Sequence, residues 1–417
     1  MTHSTNGVER RPIRLLTIGH SYVVALNRRM AHAIADASGG RYDVTAVAPA
    51  FFHGDLRPIA LEPYKGERTT EPISLRPLRV YGSKRPQMFL FEPRLKQVLR
   101  EGWDIIHCWE EPYVFSGAQI AWWAPTQVPL VYLTYQNIAK RYPPPFGWLE
   151  SRTLRRAQAL ISGGQTVAEV QRARVSRARG SVSDGFVQDI VPLGVDTAVF
   201  RPDARARHQM RERLGILDAD GPVIVYMGRL VEEKGMRVLM AAMTNQARAK
   251  RPHQMLILGG GPMEAELRQW ASQHPHAVRF FTSVPHEDVP DYLRAGDILI
   301  APSETRPAWK EQLGRMLLEG GASGLALIGS DSGEIPFVIA DAGLVVPEGN
   351  VHAWSDAIGA LLTDPDRIAA LGRRGRAHVD ATYSWRIVGS KLVRVFDRVL
   401  GLEETSPRAA ATTATVA

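Results

Sequence analysis

Short apolar runs alternate with stretches of helical spacing along almost the whole chain, and this alternation constrains the fold more than any other feature. One series comprises Ile13–Ile18, Val44–Ala48, Ile105–Cys108, Leu130–Thr134 and Ala159–Ser162. A second comprises Val223–Met227, Gln254–Leu258, Val278–Phe281, Ile298–Ala301, Leu325–Ile328 and Gly343–Val346. Helical spacing fills intervals such as Val23–Ser38, Met236–Gln246, Met263–Gln273 and Gly314–Gly320. Runs of this kind predict α/β architecture, because parallel strands need crossover helices that cover both sheet faces. A chain of 417 residues exceeds one ordinary core. The two series therefore predict two doubly wound domains, residues 1–199 and 200–384, with the break near Val191–Asp203, where Pro192, Gly194 and Pro202 punctuate the chain. The tail, 402–417, lacks an amphipathic period and is expected to be disordered.

Hydrophobic residues make up 45% and charged residues 23%, as in a globular protein. No apolar run approaches the ~18 residues of a membrane span. Met1–Arg11 lacks the apolar block of a secretory signal, and the single cysteine, Cys108, excludes an internal disulfide or a cysteine zinc cluster. These features predict a cytoplasmic protein. The net charge of +8 favours anionic company such as nucleotides, phosphorylated sugars or lipid headgroups. Seven arginines (152, 155, 156, 172, 174, 177 and 179) against Glu169 crowd the stretch 151–180. They read as a solvated helix face or as a patch for an anionic membrane surface or acidic acceptor. The preceding Tyr142–Trp148 loop is aromatic and proline-rich, which suits headgroup contact at the inner face of a membrane. No nucleic-acid-binding motif accompanies the arginines.

Ligands of open α/β sheets sit at the carboxyl ends of strands, so two facing domains would hold a substrate in the cleft between them. Gly228-Arg229-Leu230-Val231-Glu232-Glu233-Lys234-Gly235 follows a strand and precedes a helix. Backbone N–H groups, a helix N-terminus and two cations there suit a diphosphate. The alternative is an exposed loop whose charges pair with Glu232 and Glu233. Glu311 and Glu319 lie eight positions apart. On one helix that offset is ~12 Å and about 80° of rotation, so they would not share a face. Glu311 is better placed in the loop after the strand and Glu319 in the following helix. Carboxylates accept hydroxyl hydrogen bonds and suit sugar or ribose recognition. Ser332-Gly333-Glu334 reads as a turn holding a carboxylate near the cleft, and Gly259-Gly260-Gly261-Pro262 as a tight turn. Asp218-Ala219-Asp220 runs into Gly221-Pro222 and reads as a turn, not as a metal-holding carboxylate pair.

The ordered set Gly228-Arg229-Leu230…Lys234-Gly235, Gly259-Gly260-Gly261-Pro262, Pro302-Ser303, Glu311…Glu319 and Gly333-Glu334 resembles the family 4 retaining glycosyltransferases of GT-B fold. Asp104-Ile105-Ile106-His107, Pro192-Leu193-Gly194-Val195-Asp196 and Phe200 extend the resemblance over Ile13–Leu400. It implies transfer from a nucleotide-diphosphate sugar to a saccharide or lipid-linked acceptor, without a metal or other cofactor. It implies catalytic roles for Arg229, Lys234 and Glu311, the two cations on the donor diphosphate and Glu311 on the transferred sugar. Donor contacts would come from Gly19, backbone at Ser283 and Val284, Gln312, Leu313 and Gly314, and Glu319 on the ribose. The terminal helix, 385–401, would cross back onto the first domain.

The first half departs from this pattern. The family's double-glycine loop is Gly19-His20-Ser21-Tyr22 here, and the strand ending at Thr134 leads to Gln136 where many members carry a histidine. Gln136 bonds hydroxyls but does not titrate. His20, His107, Glu111 and Gln136 are the acceptor-side candidates, with a structural role as the alternative for His107. A nucleotide-sugar epimerase of the same architecture and a non-catalytic nucleotide-sugar-binding subunit are the competing readings.

Overall fold

A computed structural model describes residues 11–54, 58–64, 70–180, 185–274 and 277–402. The extreme N-terminus and residues 403–417 of the expected disordered tail lie outside the described residues. The first sheet comprises β1 (Ile13–Ile18), β2 (Tyr42–Pro49), β3 (Ser74–Leu78), β4 (Ile105–Cys108), β5 (Leu130–Thr134), β6 (Ala159–Ser162) and β7 (Val187–Ile190). It is parallel throughout, in the order β7-β6-β5-β4-β1-β2-β3. The second comprises β8 (Val223–Met227), β9 (Gln254–Leu258), β10 (Val278–Phe281), β11 (Ile298–Ala301), β12 (Ala326–Ser330) and β13 (Leu344–Val346). Its order is β10-β9-β8-β11-β12-β13, again all parallel.

Both sheets reverse their winding once, between β1 and β4 in the first and between β8 and β11 in the second. At such a switch point the connections leave in opposite directions and open a crevice beyond the strand ends. The central strands are apolar on both faces, as doubly covered strands must be, and β4, β5, β6, β9, β11 and β12 are buried along their whole length. Sequence periodicity overlooks β3 and β7. Both are edge strands, where one hydrogen-bonding side is unpaired. Pro77 in β3 and Gln188 and Asp189 in β7 are tolerated there for that reason.

Helix α1 (Ala25–Ser38) covers β1 and β2, and the terminal helix α8 (Trp385–Val399) packs across it. Val388, Leu392 and Phe396 of α8 join Leu15, Ile34 and Tyr42 in one core. The crossing is tight: a Cβ at Gly389 would stand 2.2 Å from the Ala33 carbonyl oxygen. The chain passes between the sheets twice, and the passages bond to each other, Val195 N–H to Tyr383 O at 2.8 Å and Trp385 N–H to Val195 O at 3.2 Å. No helix among the described residues is long and apolar enough to cross a membrane.

Candidate functional site

The Arg/Lys loop forms at the switch point of the second sheet. After β8 the chain turns at Gly228, passes a short 3-10 turn (Glu232–Lys234) and enters α4 (Met236–Arg248) at Gly235. Gly235 has φ +70°, and a Cβ there would sit 1.8 Å from the Pro302 carbonyl oxygen beyond β11. Only glycine permits that approach, and it sets Lys234 against the loop that follows β11. The glycine turn after β9 clamps the other side. Leu230 N–H donates to Gly260 O at 3.0 Å and Met263 N–H to Leu230 O at 3.0 Å. A Cβ at Gly261 would stand 2.5 Å from Leu230 O. That turn, uninformative in sequence, fixes the cationic loop.

Arg229 projects with 42% of its side chain exposed and pairs with Glu233 at 3.5 Å. Lys234 is largely buried, its ammonium 2.5 Å from Glu311 Oε2 and 4.9 Å from the Trp309 ring centre. Ser303 Oγ–H donates to the same carboxylate oxygen at 2.9 Å. The two residues that the resemblance assigns to diphosphate and sugar thus hold each other. Glu311 lies in the loop before α5 (Arg315–Ala322) and Glu319 within that helix, as the spacing argument requires. Gly314 caps α5 in the left-handed conformation at φ +71°, placing the helix N-terminus beside Gln312 and Leu313. Glu319 is 4% exposed, and its Oε1 faces His286 Nε2 at 3.0 Å. His286 has no signal in sequence. Ser283, beside Val284, takes φ +60°, a strained backbone of the kind found at binding sites.

The first domain meets this loop directly. Asn137 Nδ2–H donates to Glu311 O at 3.0 Å, and Gln312 Nε2–H to Tyr135 O at 2.9 Å. Arg315 Nη2–H donates to Asn27 Oδ1 at 3.0 Å. Glu334 lies beside the same loop, its N–H donating to Glu311 O at 3.0 Å, and its carboxylate reaches the first domain. Its carboxylate accepts from Gln165 N–H (2.6 Å), Thr166 N–H (2.9 Å) and Thr166 Oγ–H (2.6 Å), at the N-terminus of α3 (Gln165–Arg179). A negative group there satisfies orphan N–H donors and the helix dipole, so Glu334 ties the second domain to the first.

The acceptor-side candidates separate sharply. His107 lies within β4 at 0% exposure, Nδ1 2.8 Å from Thr17 Oγ1, and burial lowers its pKa to about 3. It is a core residue and offers no surface to an acceptor. Glu111 is half-buried, accepting from Thr134 Oγ–H at 2.5 Å and Tyr135 N–H at 2.8 Å, and desolvation raises its pKa above the ordinary carboxylate value. Its work is to hold the exit of β5. Gln136 is 8% exposed, and its Oε1 accepts from Ile138 N–H at 3.0 Å, so its carbonyl is spent on its own loop. His20 keeps a partly exposed ring. Its main-chain N–H and Nδ1 both meet Glu110, at 2.6 and 2.8 Å. The carboxylate that holds His20 is thus Glu110, the neighbour of the candidate Glu111, and only the Glu-Glu doublet marks it in sequence. Gly19 is extended at φ −166°, and a Cβ there would lie 3.1 Å from Trp109 Cβ, a tight contact.

Several of the seven arginines are structural. Arg174 pairs with Glu150 at 2.5 Å, Arg156 binds Pro125 O and Val128 O, and Arg179 binds Leu154 O and Ala157 O. Arg152, Arg172 and Arg177 are exposed. Arg152 lies 5.3 Å over the Trp148 ring, which is 54% exposed and beside exposed Trp122. Asp218–Asp220 forms a short turn, with Asp220 accepting from Leu217 N–H at 2.8 Å. No cluster of three or more metal-binding side chains occurs among the described residues.

Comparison with known proteins agrees with this architecture. The family model for Glycosyl transferases group 1 matches residues 221–364, the second sheet and its site. A GDP-mannose-dependent alpha-(1-6)-phosphatidylinositol monomannoside mannosyltransferase of Mycolicibacterium smegmatis is 34% identical over 256 residues, 60% of this chain and 66% of that protein. A GDP-mannose-dependent monoacylated alpha-(1-6)-phosphatidylinositol monomannoside mannosyltransferase of Corynebacterium glutamicum is 37% identical over 209 residues, 49% of this chain and 55% of that protein. Each match spans less than two thirds of the relative's length. Among solved structures, Anabaena HepE in complex with UDP and glucose superimposes with a TM-score of 0.67 at 14% identity, covering 92% of this chain and 99% of that one. Residues 221–364 thus match the group 1 glycosyl transferase family, and the two-sheet architecture is the GT-B fold of these solved glycosyltransferases.

Proposed function

We propose that the chain is a retaining glycosyltransferase that moves a hexose from a nucleotide-diphosphate sugar to a glycolipid acceptor. The observation that carries this reading is the convergence of Arg229, Lys234, the N-terminus of α5 and Glu311 at the switch point of the second sheet. Two cations and a helix N-terminus neutralise a diphosphate and stabilise it as negative charge builds on departure, so the reading needs no metal. Glu319 receives the ribose hydroxyls, displacing His286. Glu311 releases part of its hold on Lys234 to the diphosphate and turns its carboxylate to the transferred sugar. Gln136 and Glu111 are both engaged in hydrogen bonds of their own loops, which fits same-face attack in which the leaving phosphate takes the acceptor proton. Similarity to the two mannosyltransferases supports GDP-mannose as the donor and a phosphoinositide glycolipid as the acceptor.

The exposed Trp148, Trp122 and Arg152 cluster supports peripheral contact with an anionic inner membrane face, where such an acceptor resides. The test of the function is direct. Purified protein with GDP-mannose and detergent-dispersed phosphatidylinositol monomannoside is expected to form an α-linked product. Epimerised nucleotide sugar, or donor binding without turnover, would defeat the reading.

A further inference from the structure

Between β11 and α5 the chain carries an aromatic ring that none of the donor contacts uses. Trp309 stands two positions before Glu311, half-buried, and its ring centre lies 4.9 Å from the Lys234 ammonium. A closed turn, Arg306-Pro307-Ala308-Trp309, holds the ring there. Trp309 N–H donates to Arg306 O at 3.1 Å and Arg306 N–H to Trp309 O at 2.8 Å. Pro307 presets the backbone angle at the second position of that turn. The start of the loop is pinned to the cationic loop itself, Glu304 N–H donating to Glu233 O at 2.8 Å. Thr305 is fixed on the other side, its N–H donating to the Glu348 carboxylate and its hydroxyl lying 3.0 Å from Ser332 Oγ. The ring and Lys234 are thus carried by loops that are bonded to each other.

We propose that Trp309 is the positioning residue that keeps the Lys234 ammonium aimed at the donor diphosphate while Glu311 engages the sugar. The inference rests on the glycosyltransferase reading above and deepens it. Lysine is a point charge on a flexible four-carbon stem, so it needs an outside contact to hold one direction. Glu311 supplies such a contact, with the Lys234 and Glu311 side chains 12% and 9% exposed. A carboxylate, however, neutralises the charge that the diphosphate needs, and Glu311 divides Oε2 between Lys234 and Ser303. The face of an indole attracts a cation through its quadrupole and leaves the net charge intact, an attraction that grows with desolvation. Trp309 therefore keeps hold of the ammonium when the carboxylate turns away, and the full positive charge remains for the phosphates.

Trp309→Leu and Trp309→Phe test this, the first removing the aromatic face and the second keeping one. Affinity for GDP and UDP is measured by calorimetry. Trp309→Leu is expected to weaken binding about fivefold, the strength of one cation–π contact, and Trp309→Phe to stay within about twofold of wild type. The kcat for transfer from GDP-mannose should fall at least as far in Trp309→Leu, since charge builds on the diphosphate as it leaves. Tryptophan analogues with successive ring fluorines, placed at position 309 alone, keep the ring's shape and drain its face of electrons. Affinity should fall stepwise along that series, which stands even where leucine unfolds the loop. Trp309→Leu added to Lys234→Met with Glu311→Gln should change affinity no further, since the cation it serves is gone. Equal weakening by leucine and phenylalanine, a full leucine effect without Lys234, or affinity unmoved by fluorination would each overturn the proposal. Wild-type protein that binds neither GDP nor UDP would remove the donor-site reading itself, whereas normal binding by every variant at position 309 removes this inference alone.

Discussion

Lys234 and Glu311 form a largely buried ion pair, Nζ to Oε2 at 2.5 Å, at the point where the resemblance separates diphosphate from sugar. The pair holds the two charges in a neutral arrangement. Removing one member leaves the other buried without a partner, which costs more than removing both. Lys234→Met is expected to lower stability by about 3 kcal/mol, and Lys234→Met with Glu311→Gln to recover most of it. Urea unfolding of the four proteins of this double-mutant cycle measures the difference. Additive single effects would contradict the pairing.

Arg229 differs in being half exposed and weakly paired. Arg229→Ala is therefore expected to fold normally and yet bind nucleoside diphosphates about 10- to 100-fold more weakly, the loss of a bidentate charged contact. Calorimetric titration with GDP and UDP reads this. Unchanged affinity in both Arg229→Ala and the Lys234 variant would sink the assignment of the diphosphate to this loop.

Gly235 combines a left-handed φ with a carbonyl 1.8 Å from any added Cβ. Gly235→Ala is expected to cost at least about 2 kcal/mol, because the strain of a non-glycine residue adds to a backbone clash. The displaced loop carries Lys234, so the melting temperature and the GDP-induced shift should fall together. A stable variant with full GDP response would show that the loop position is not set by this contact.

His107 supplies a pH dependence with a defined sign. Its folded pKa of about 3 lies below the ordinary 6.5, so the unfolded chain binds the extra proton between those values. Stability contributed by this residue is complete above about pH 6.5 and is lost as pH falls toward 3, at up to about 1.4 kcal/mol per unit. Unfolding free energies of wild type and His107→Gln between pH 7 and 5 should diverge, wild type showing the steeper acid loss. Parallel curves would mean that His107 is solvated enough to protonate in place.

The exposed Trp148 with Arg152 stacked on it predicts membrane contact that depends on both apolar and cationic groups. Trp148→Ala with Arg152→Ala is expected to reduce sedimentation with anionic vesicles at low salt and to leave GDP binding intact. No binding of wild type to such vesicles would count against a peripheral membrane role.

Much of this site is legible in the chain because its signals are local. Apolar runs mark the inner strands, and glycines bracket the turns at their carboxyl ends, so Arg229, Lys234 and Glu311 fall on the correct loops and Glu319 on the following helix. The edge strands β3 and β7 escape because exposure relaxes their pattern. Partnerships needed the assembled structure. Glu110 and Glu111 are adjacent in the chain, yet one turns to the β1 loop and His20 and the other to the exit of β5. The same division places His107 in the core, commits Glu334 to the α3 N-terminus and joins Lys234 to Glu311. By itself the sequence determined the two-sheet architecture and the cationic loop of the donor site, since periodicity and turn chemistry act within a few residues. The tertiary structure decided which acid serves which neighbour and which histidine reaches the cleft, because those choices depend on strands that are adjacent only in space.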